Sequence, residues 1–440
     1  MAQRSELGLD ELNEIWWVLA PDDRLEGFRL LDPADAEEFF ADLGARDQAD
    51  LLLMLAPAER RLWLRTLPPD DAADVIQAAD EEHRGGLLEA LDTATRREIS
   101  ALLAYEEDQA GGLMSSRFAR VRPDMTVDAA ISYLRRQAVA TIEPETIYYV
   151  YVLDAEQKLL GVISFRDLFA APGNTLIREI MNTDVVRAPD DMDQEHLARL
   201  FAEHDLLAVP VVDGRGVLKG IVTVDDIVDV VEEEATEDIQ KYGAVEALDE
   251  PYLRIGLGPL IRKRAGWLIV LFAAQVLAAS VVSSYHAQLE GAIILAAFLP
   301  MIISSGGNSG SQASTLVIRA MAVDEVHLRD WWRVARREIA VGIILGLLLA
   351  GLGMLRVGGG RVLGESLDVA WAVLGLIIGL SLISVVVFGS ILGAMLPFLL
   401  RRVGLDPASA SAPLVATISD VTGLLIYFTI ATSLLSRFAG

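Results

Sequence analysis

The feature that most constrains this chain is an unbroken run, residues 369–400, that contains no Asp, Glu, Lys or Arg. A helix of about 20 apolar residues crosses the hydrocarbon core of a bilayer, so this run is long enough to span it. Helices buried inside a large soluble protein would not explain such a run. Four more apolar stretches cover residues 265–289, 291–318, 339–355 and 407–436, and the last of them is interrupted by Asp420. Together with residues 369–400 they predict five spans.

Charge divides the chain close to residue 264. Residues 1–264 contain 54 acidic and 27 basic side chains, whereas residues 265–440 contain 9 and 10. An acidic, water-facing half therefore precedes an apolar membrane half. The excess of carboxylates argues against nucleic acid as a partner and favours cations. Because the sequence has no cysteine, disulfides, thiolate metal sites and thiol catalysis are excluded.

Basic residues predict the orientation of the membrane half. If the first span starts inside, the inner segments carry ten Lys and Arg residues and the outer segments carry three. Lys and Arg collect on the cytoplasmic side of short loops, so we expect a cytoplasmic soluble half and an extracytoplasmic C-terminus. The first ten residues lack the apolar core of a secretory signal, which agrees with this orientation.

Two polar features interrupt the spans. Asp420 lies in the middle of the last one, where a carboxylate costs about 2.5–3.5 kcal/mol on insertion scales. We interpret it as facing a watery path or a cation; a protonated, hydrogen-bonded Asp420 is the alternative. In the second span, Pro300 and three glycines predict an irregular backbone, and Asn308 and Gln312 favour a pore over simple close packing of helices.

The chemistry of these residues indicates the ion. The polar segments offer only oxygen ligands, which favours hard cations over zinc or copper. Mg²⁺ keeps several of its waters and binds one or two carboxylates. Since one Asp per chain supplies few ligands for a metal ion, we expect two copies to meet on a twofold axis in a homodimer.

An internal repeat organises residues 112–232. The segment 149–168 recurs at 208–227, and each copy predicts a helix, two strands joined by a turn, and a helix. The repeat resembles a tandem pair of CBS modules, which implies a sensor that often binds adenine nucleotides such as ATP. The positions that match the ribose-holding element of that family are Ser164, Asp167, Thr223 and Asp226.

The flanking segments are helical. Four Leu-x-Pro or Leu-Asp-Thr signals within residues 31–103 each predict the start of a short helix. Stacked helices of this kind form a small superhelix; an irregular bundle is the alternative. The acidic segment 229–243 predicts a helix directed toward the pore, in which like charges repel until divalent cations neutralise them.

The whole chain resembles the MgtE family of magnesium channels. The resemblance is carried by Pro300 with the segment 306–312, and by the segment 406–428 around Asp420. It implies a multidomain membrane protein in a bacterial-type inner membrane, with an α-helical superhelical N-terminal domain, an α/β tandem CBS pair, a connecting plug helix and a five-helix transmembrane domain. The N-terminal domain would occupy residues 1–111, and the two CBS modules 112–175 and 176–232. The plug helix would occupy residues 233–260 and the transmembrane domain 261–440.

The resemblance also implies residue roles. Asp420 would hold a hydrated Mg²⁺ in the pore of a homodimer, and the further metal candidates are Asn308, from the other signature segment, and Asp406 at a pore mouth. Regulatory Mg²⁺ would bridge acids and close the pore when cytosolic Mg²⁺ is high. The candidates for that role are Glu38, Asp70, Asp74, Asp193, Glu195, Asp205, Asp226, Asp229, Glu234, Glu237 and Asp238.

Other functions fit the sequence less well. A manganese or cobalt transporter would use the same octahedral oxygen sites. A membrane enzyme lacks support, because His286 and His327 are the only histidines of the membrane half and no catalytic or phosphate-binding motif accompanies them. A receptor whose spans only anchor the sensor would leave Asp420 without a purpose.

Overall fold

The computed structural model describes residues 8–139, 148–248, 251–285, 294–362 and 370–438. Our predictions on residues 1–7, on His286 and on the ends of the spans at 286–289, 291–293 and 369 lie outside these residues. The chain divides into two compact units, Met1–Glu232 and Glu233–Gly440. The division falls 32 residues before the change in charge near residue 264.

In the described part of the first unit, eight short α-helices come first. Helices α3, α5, α6 and α8 begin at Pro33, Pro57, Pro69 and Thr93, which confirms the helix starts predicted from the sequence. Contacts join α2 to α4, α4 to α6 and α6 to α8, so alternate helices stack. The bounds are α1 Leu9–Ile15, α2 Pro21–Leu30, α3 Pro33–Asp42, α4 Ala45–Met54, α5 Pro57–Leu64, α6 Pro69–Ala78, α7 Glu81–Ala90 and α8 Thr93–Leu102.

Large apolar side chains hold this stack together. Phe39 is fully buried and meets the Trp16 ring edge-on, with 4.9 Å between ring centroids. Phe28 and Phe40 both pack against Trp63. Pro or Asp at the helix starts sets the short lengths, and burial of these rings supplies the driving force.

The repeat forms two modules with the same topology. In each, a short first strand pairs parallel with the second, which pairs antiparallel with the third. The register repeats as well, since Val150 pairs with Ile163 in the first module and Val209 with Val222 at the equivalent positions of the second. The bounds are β1 Arg120–Val121, α9 Val127–Val139, β2 Tyr149–Leu153, β3 Leu159–Ser164, α10 Phe165–Ala170, α11 Ile177–Ile180, β4 Ala188–Pro189, α12 Gln194–His204, β5 Ala208–Val212 and β6 Leu218–Thr223.

The modules join through equivalent turns. Leu159 donates its N–H to the Gly216 carbonyl, and Leu218 donates to the Gln157 carbonyl, at 3.1 and 3.0 Å. Gln157 and Gly216 occupy the same position of the repeat and both have positive φ, 64° and 79°. The internal repeat is thus also a local twofold relation between the two turns.

The acidic segment forms helix α13, Val224–Tyr242. We expected a connecting helix over 233–260, but this helix begins inside the second module and ends at Tyr242. The Val245 N–H closes back on the Gln240 carbonyl and Ala244 takes a left-handed φ of 58°, which ends the helix.

The described residues of the second unit contain five long helices. They are α14 Leu257–Ser284, α15 Ile294–Ala322, α16 Trp331–Val362, α17 Trp371–Arg402 and α18 Ala412–Phe438. By length and composition, four of these regions are apolar enough to cross a membrane, and α15 is the exception. The reason is its polar segment, which was also the reason to predict a pore lining there.

The prediction that Pro300 and the neighbouring glycines interrupt the second span is wrong. Helix α15 is continuous from Ile294 to Ala322 with Pro300 inside it. Its glycines serve close packing instead, because a Cβ on Gly389 or Gly393 of α17 would overlap the carbonyl oxygens of Gly306 and Gly310. Neighbouring helices stabilise a helix that contains Pro and Gly, and small residues let two backbones approach.

Candidate metal-ion site

Helix α15 has two unlike faces. Its buried face carries Gly306, Gly310 and Ala313, which pack in the bundle. Its exposed face carries a polar stripe of side chains three or four residues apart, which therefore lie above one another. We call this set the α15 polar stripe: Ser304, Asn308, Gln312 and Thr315.

Three helices converge near Asp420 of α18. The Gln275 side-chain amide on α14 donates to Oδ2 of Asp420 at 3.1 Å. On α15, a Cβ built on Gly307 would lie 3.8 Å from Oδ1, so this helix leaves the carboxylate room. Asp420 is half-buried within one chain, and Gln275 is exposed. The carboxylate is therefore open on one side, and on α15 it lies against Gly307, the residue before Asn308 of the α15 polar stripe.

In the part of the chain that the structure describes, the hydroxyl groups of Thr417 and Ser419 form no hydrogen bond with Asp420. Thr417 donates to the Pro413 carbonyl of its own helix at 2.7 Å, and Ser419 is buried beside Gly306. Among the described residues, Gln275 is thus the only hydrogen-bond donor to Asp420. Sequence reasoning missed Gln275, although it is a single amide within an otherwise apolar span.

The end of α13 is anchored within the second unit. Lys241 donates to Glu237 at 2.6 Å and to Asp406 at 2.7 Å, and the Tyr242 hydroxyl contacts Thr315 and donates to the Ser311 carbonyl at 3.0 Å. Burial alone would lower the pKa of Lys241, but the two carboxylates outweigh it and raise the pKa. Asp406, predicted at a pore mouth, therefore carries a cationic partner from the segment proposed as the plug.

Acidic side chains approach one another in the first unit. Oδ2 of Asp226 accepts the Thr223 N–H at 3.1 Å and the Thr223 hydroxyl at 2.7 Å. Burial, opposed by these bonds and reinforced by Asp225 and Asp71, raises the pKa of Asp226 to about 7. Asp71 of α6 is partly exposed to solvent. Loss of hydration on its protein-facing side, followed by the negative charges of Asp225 and Asp229, nevertheless raises its pKa as well. Negative charge is therefore costly here, and a divalent cation would relieve the cost.

The other predicted acids are dispersed. Glu38 is exposed on α3, and Asp70 is buried on α6 with Asp74 one turn further. At α12, Asp193 caps the start, Glu195 pairs with Arg199 at 2.8 Å and Asp205 ends the helix. Within the described ranges, no three Asp, Glu or His side chains are close enough to hold a metal ion. Sequence reasoning missed Asp71 and Asp225, which flank residues that it had selected.

The predicted ribose positions repeat in both modules. Ser164 donates to Asp167 at 2.6 Å, as Thr223 does to Asp226. The first pair opens α10 and the second opens α13. Asp167 is exposed, whereas Thr223 is buried, so the first pair is the more accessible to a ligand.

A helical stack, a pair of repeated α/β modules and a bundle of long helices with a polar stripe together define the architecture of a multi-span transport protein. Family models match the same three parts: "MgtE intracellular N domain" over residues 8–108, "CBS domain" over 110–174 and 177–233, and "Divalent cation transporter" over 299–430. The chain belongs to the MgtE family of magnesium transporters, as relatives of similar length establish. This confirms the resemblance and the fold class that the sequence predicted.

The relatives match over most of their length. The chain is 45% identical to magnesium transporter MgtE of Thermus thermophilus over 98% of this chain and 94% of the relative. It is 36% identical to magnesium transporter MgtE of Enterococcus faecalis over 78% and 72%. A crystal structure of the cytosolic domain of the Mg²⁺ channel MgtE in complex with ATP is 43% identical, covering 52% of this chain and 92% of that one, with a TM-score of 0.47.

Proposed function

We propose that the chain is a homodimeric channel that imports Mg²⁺ across the inner membrane, with its N-terminal domains in the cytoplasm. The observation that carries this proposal is the α15 polar stripe, exposed on a helix whose Gly307 lies against the half-buried Asp420. The Asn308 and Gln312 amides would leave hydrogen-bonding groups unsatisfied if they faced lipid, at a cost of several kcal/mol. A second copy around a water-filled path would hydrate them and bring two Asp420 carboxylates to one hydrated Mg²⁺.

Flux into liposomes tests the pore. We expect Asp420→Ala to abolish Mg²⁺ uptake, because the carboxylate that replaces part of the ion's hydration is lost. Asp330→Asn is the matched control, since it removes one carboxylate at a helix start and should retain wild-type flux. Normal uptake by Asp420→Ala would reject the pore assignment. Competition by Mn²⁺ and Co²⁺ in the same assay identifies the preferred ion.

We propose further that cytosolic Mg²⁺ closes the channel through the acids of the first unit and α13. The repulsion around Asp226 supports this, together with the attachment of the end of α13 to Thr315 of the α15 polar stripe. Asp226→Ala combined with Glu237→Ala should leave flux less inhibited by internal Mg²⁺, because fewer carboxylates bind the ion. Unchanged inhibition would reject this mode of closure and leave the pore assignment intact.

ATP binding at the module pair is the remaining part of the proposal. The exposed Asp167 and its partner Ser164 support a ribose contact in the first module. Protease protection of the full chain, measured with Mg²⁺, Mn²⁺, Ca²⁺ and ATP separately, distinguishes nucleotide effects from metal effects. Protection by ATP that Asp167→Ala removes would support the site; protection that survives this change would place the nucleotide elsewhere.

A further inference from the structure

An apolar groove lies between helices of the membrane bundle, and Asp420 is not among the residues that line it. It has a volume of about 830 Å³, within the range of about 300–1,000 Å³ that ligand pockets occupy. Its walls come from the start of α16 and the last turns of α17. The apolar side chains that form them include Phe388, Ile391, Leu392, Met395, Leu396 and Leu399.

The rim of the groove is cationic and aromatic. Arg329 and Arg402 line it together with Trp331, whose side chain is 51% exposed. Over the described part of the chain, neither arginine forms an ion pair, whereas the nearby Arg333 is paired with Asp330 at 3.5 Å. Two guanidinium groups thus remain available at the mouth of an apolar slot.

The rim coincides with the boundary between water and lipid. The start of α16 and the end of α17 flank the apolar stretches of two spanning regions. Trp side chains favour this level of a membrane, where an apolar ring meets polar headgroups. Basic pockets between spanning helices bind anionic lipid headgroups, and a guanidinium pairs well with phosphate oxygens.

We propose that this groove binds one anionic phospholipid, with its phosphate on Arg329 and Arg402 and an acyl chain along α17. The charge complementarity and the apolar walls select a lipid over a free anion, because a small phosphate would leave the slot empty. The site is separate from the ion path, so it stands whether or not the proposed pore assignment holds. Under the proposed topology, the lipid belongs to the cytoplasmic leaflet.

Lipid retention by the purified full-length chain tests the proposal. Native mass spectrometry with dioleoylphosphatidylglycerol should show one tightly held lipid per chain, absent with dioleoylphosphatidylcholine. In Arg329→Gln/Arg402→Gln, the apparent affinity should fall about tenfold or more. The matched control, Arg336→Gln/Arg337→Gln, makes the same charge change on α16 outside the groove and should retain the lipid. Melting temperatures without lipid show that both variants fold.

Several outcomes would overturn the proposal. Equal losses in the two double variants would indicate general attraction to a basic surface, and equal binding of phosphatidylcholine would remove the role of charge. Stabilisation of the chain by inorganic phosphate to the same extent as by phosphatidylglycerol would indicate a small-anion site. Because the chain has no cysteine, Leu396→Cys also gives a clean test: a disulfide-linked dimer would place a second copy in the groove.

Discussion

The two units are stabilised by different interactions. In the first, rings such as Phe39 and Trp16 are removed from water, and many charges remain on the surface. In the second, α15 and α17 meet through Gly306, Gly389 and Gly393, and charges are few. Burial of apolar area stabilises a fold in water, but lipid is as apolar as the side chains, so close contact between helices has to take its place.

The strongest test of this contrast is a side chain added at the helix crossing. Gly393→Leu should prevent assembly of the membrane bundle, since even a Cβ would overlap the Gly310 carbonyl oxygen. We expect loss of monodisperse protein in size-exclusion chromatography. Gly351→Leu is the matched control, because a Cβ there meets nothing within 4 Å. Equal behaviour of the two variants would contradict packing through glycine.

The first unit should instead be destabilised most by removal of a buried side chain. Phe39→Ala should reduce the free energy of unfolding by about 3–5 kcal/mol, because it deletes a fully buried ring. Pulse proteolysis of the full chain measures the loss. Phe169→Ala, at a side chain 59% exposed, should change little. A similar loss at both positions would show that burial does not determine the stability of this unit.

Sequence reasoning performed differently in the two units. The helix starts at Pro33 and Pro57 and the internal repeat were readable, because turn chemistry and a recurring motif can be read directly from the sequence. The roles of the glycines in α15 were misjudged, since whether a glycine bends a helix or admits a neighbour depends on α17, far away in sequence. For the same reason Gln275 could not be connected to Asp420, which is distant from it along the chain.

The two units also differ in how much a single charged side chain should contribute to stability. Lys241 joins Glu237 and Asp406, and Lys241→Met should destabilise the second unit by about 1–3 kcal/mol because it leaves two part-buried carboxylates without their cation. Thermal unfolding in detergent measures this. Arg333→Met, which breaks an exposed pair with Asp330, should cost less than about 1 kcal/mol. The swap Lys241→Asp/Asp406→Lys should recover part of the loss; no recovery would argue against a direct ion pair.

In the charge-rich unit a single carboxylate should matter less, and its effect should depend on pH. Asp213 accepts N–H groups from Val217 and Arg215, and these bonds with the Lys219 ammonium lower its pKa to about 2. A lowered pKa in the folded state stabilises above the unfolded value of about 3.9, and this contribution disappears as pH falls toward 2.

Asp213→Ala should therefore lower the melting temperature by a few degrees between pH 5 and 8, and the gap from wild type should narrow below pH 4. Asp154 occupies the equivalent turn of the first module and accepts the Lys158 N–H at 2.8 Å. Asp154→Ala should show a smaller gap, because fewer donors stabilise that carboxylate. A gap of constant size at all pH values would mean that Asp213 acts through turn geometry and not through its charge.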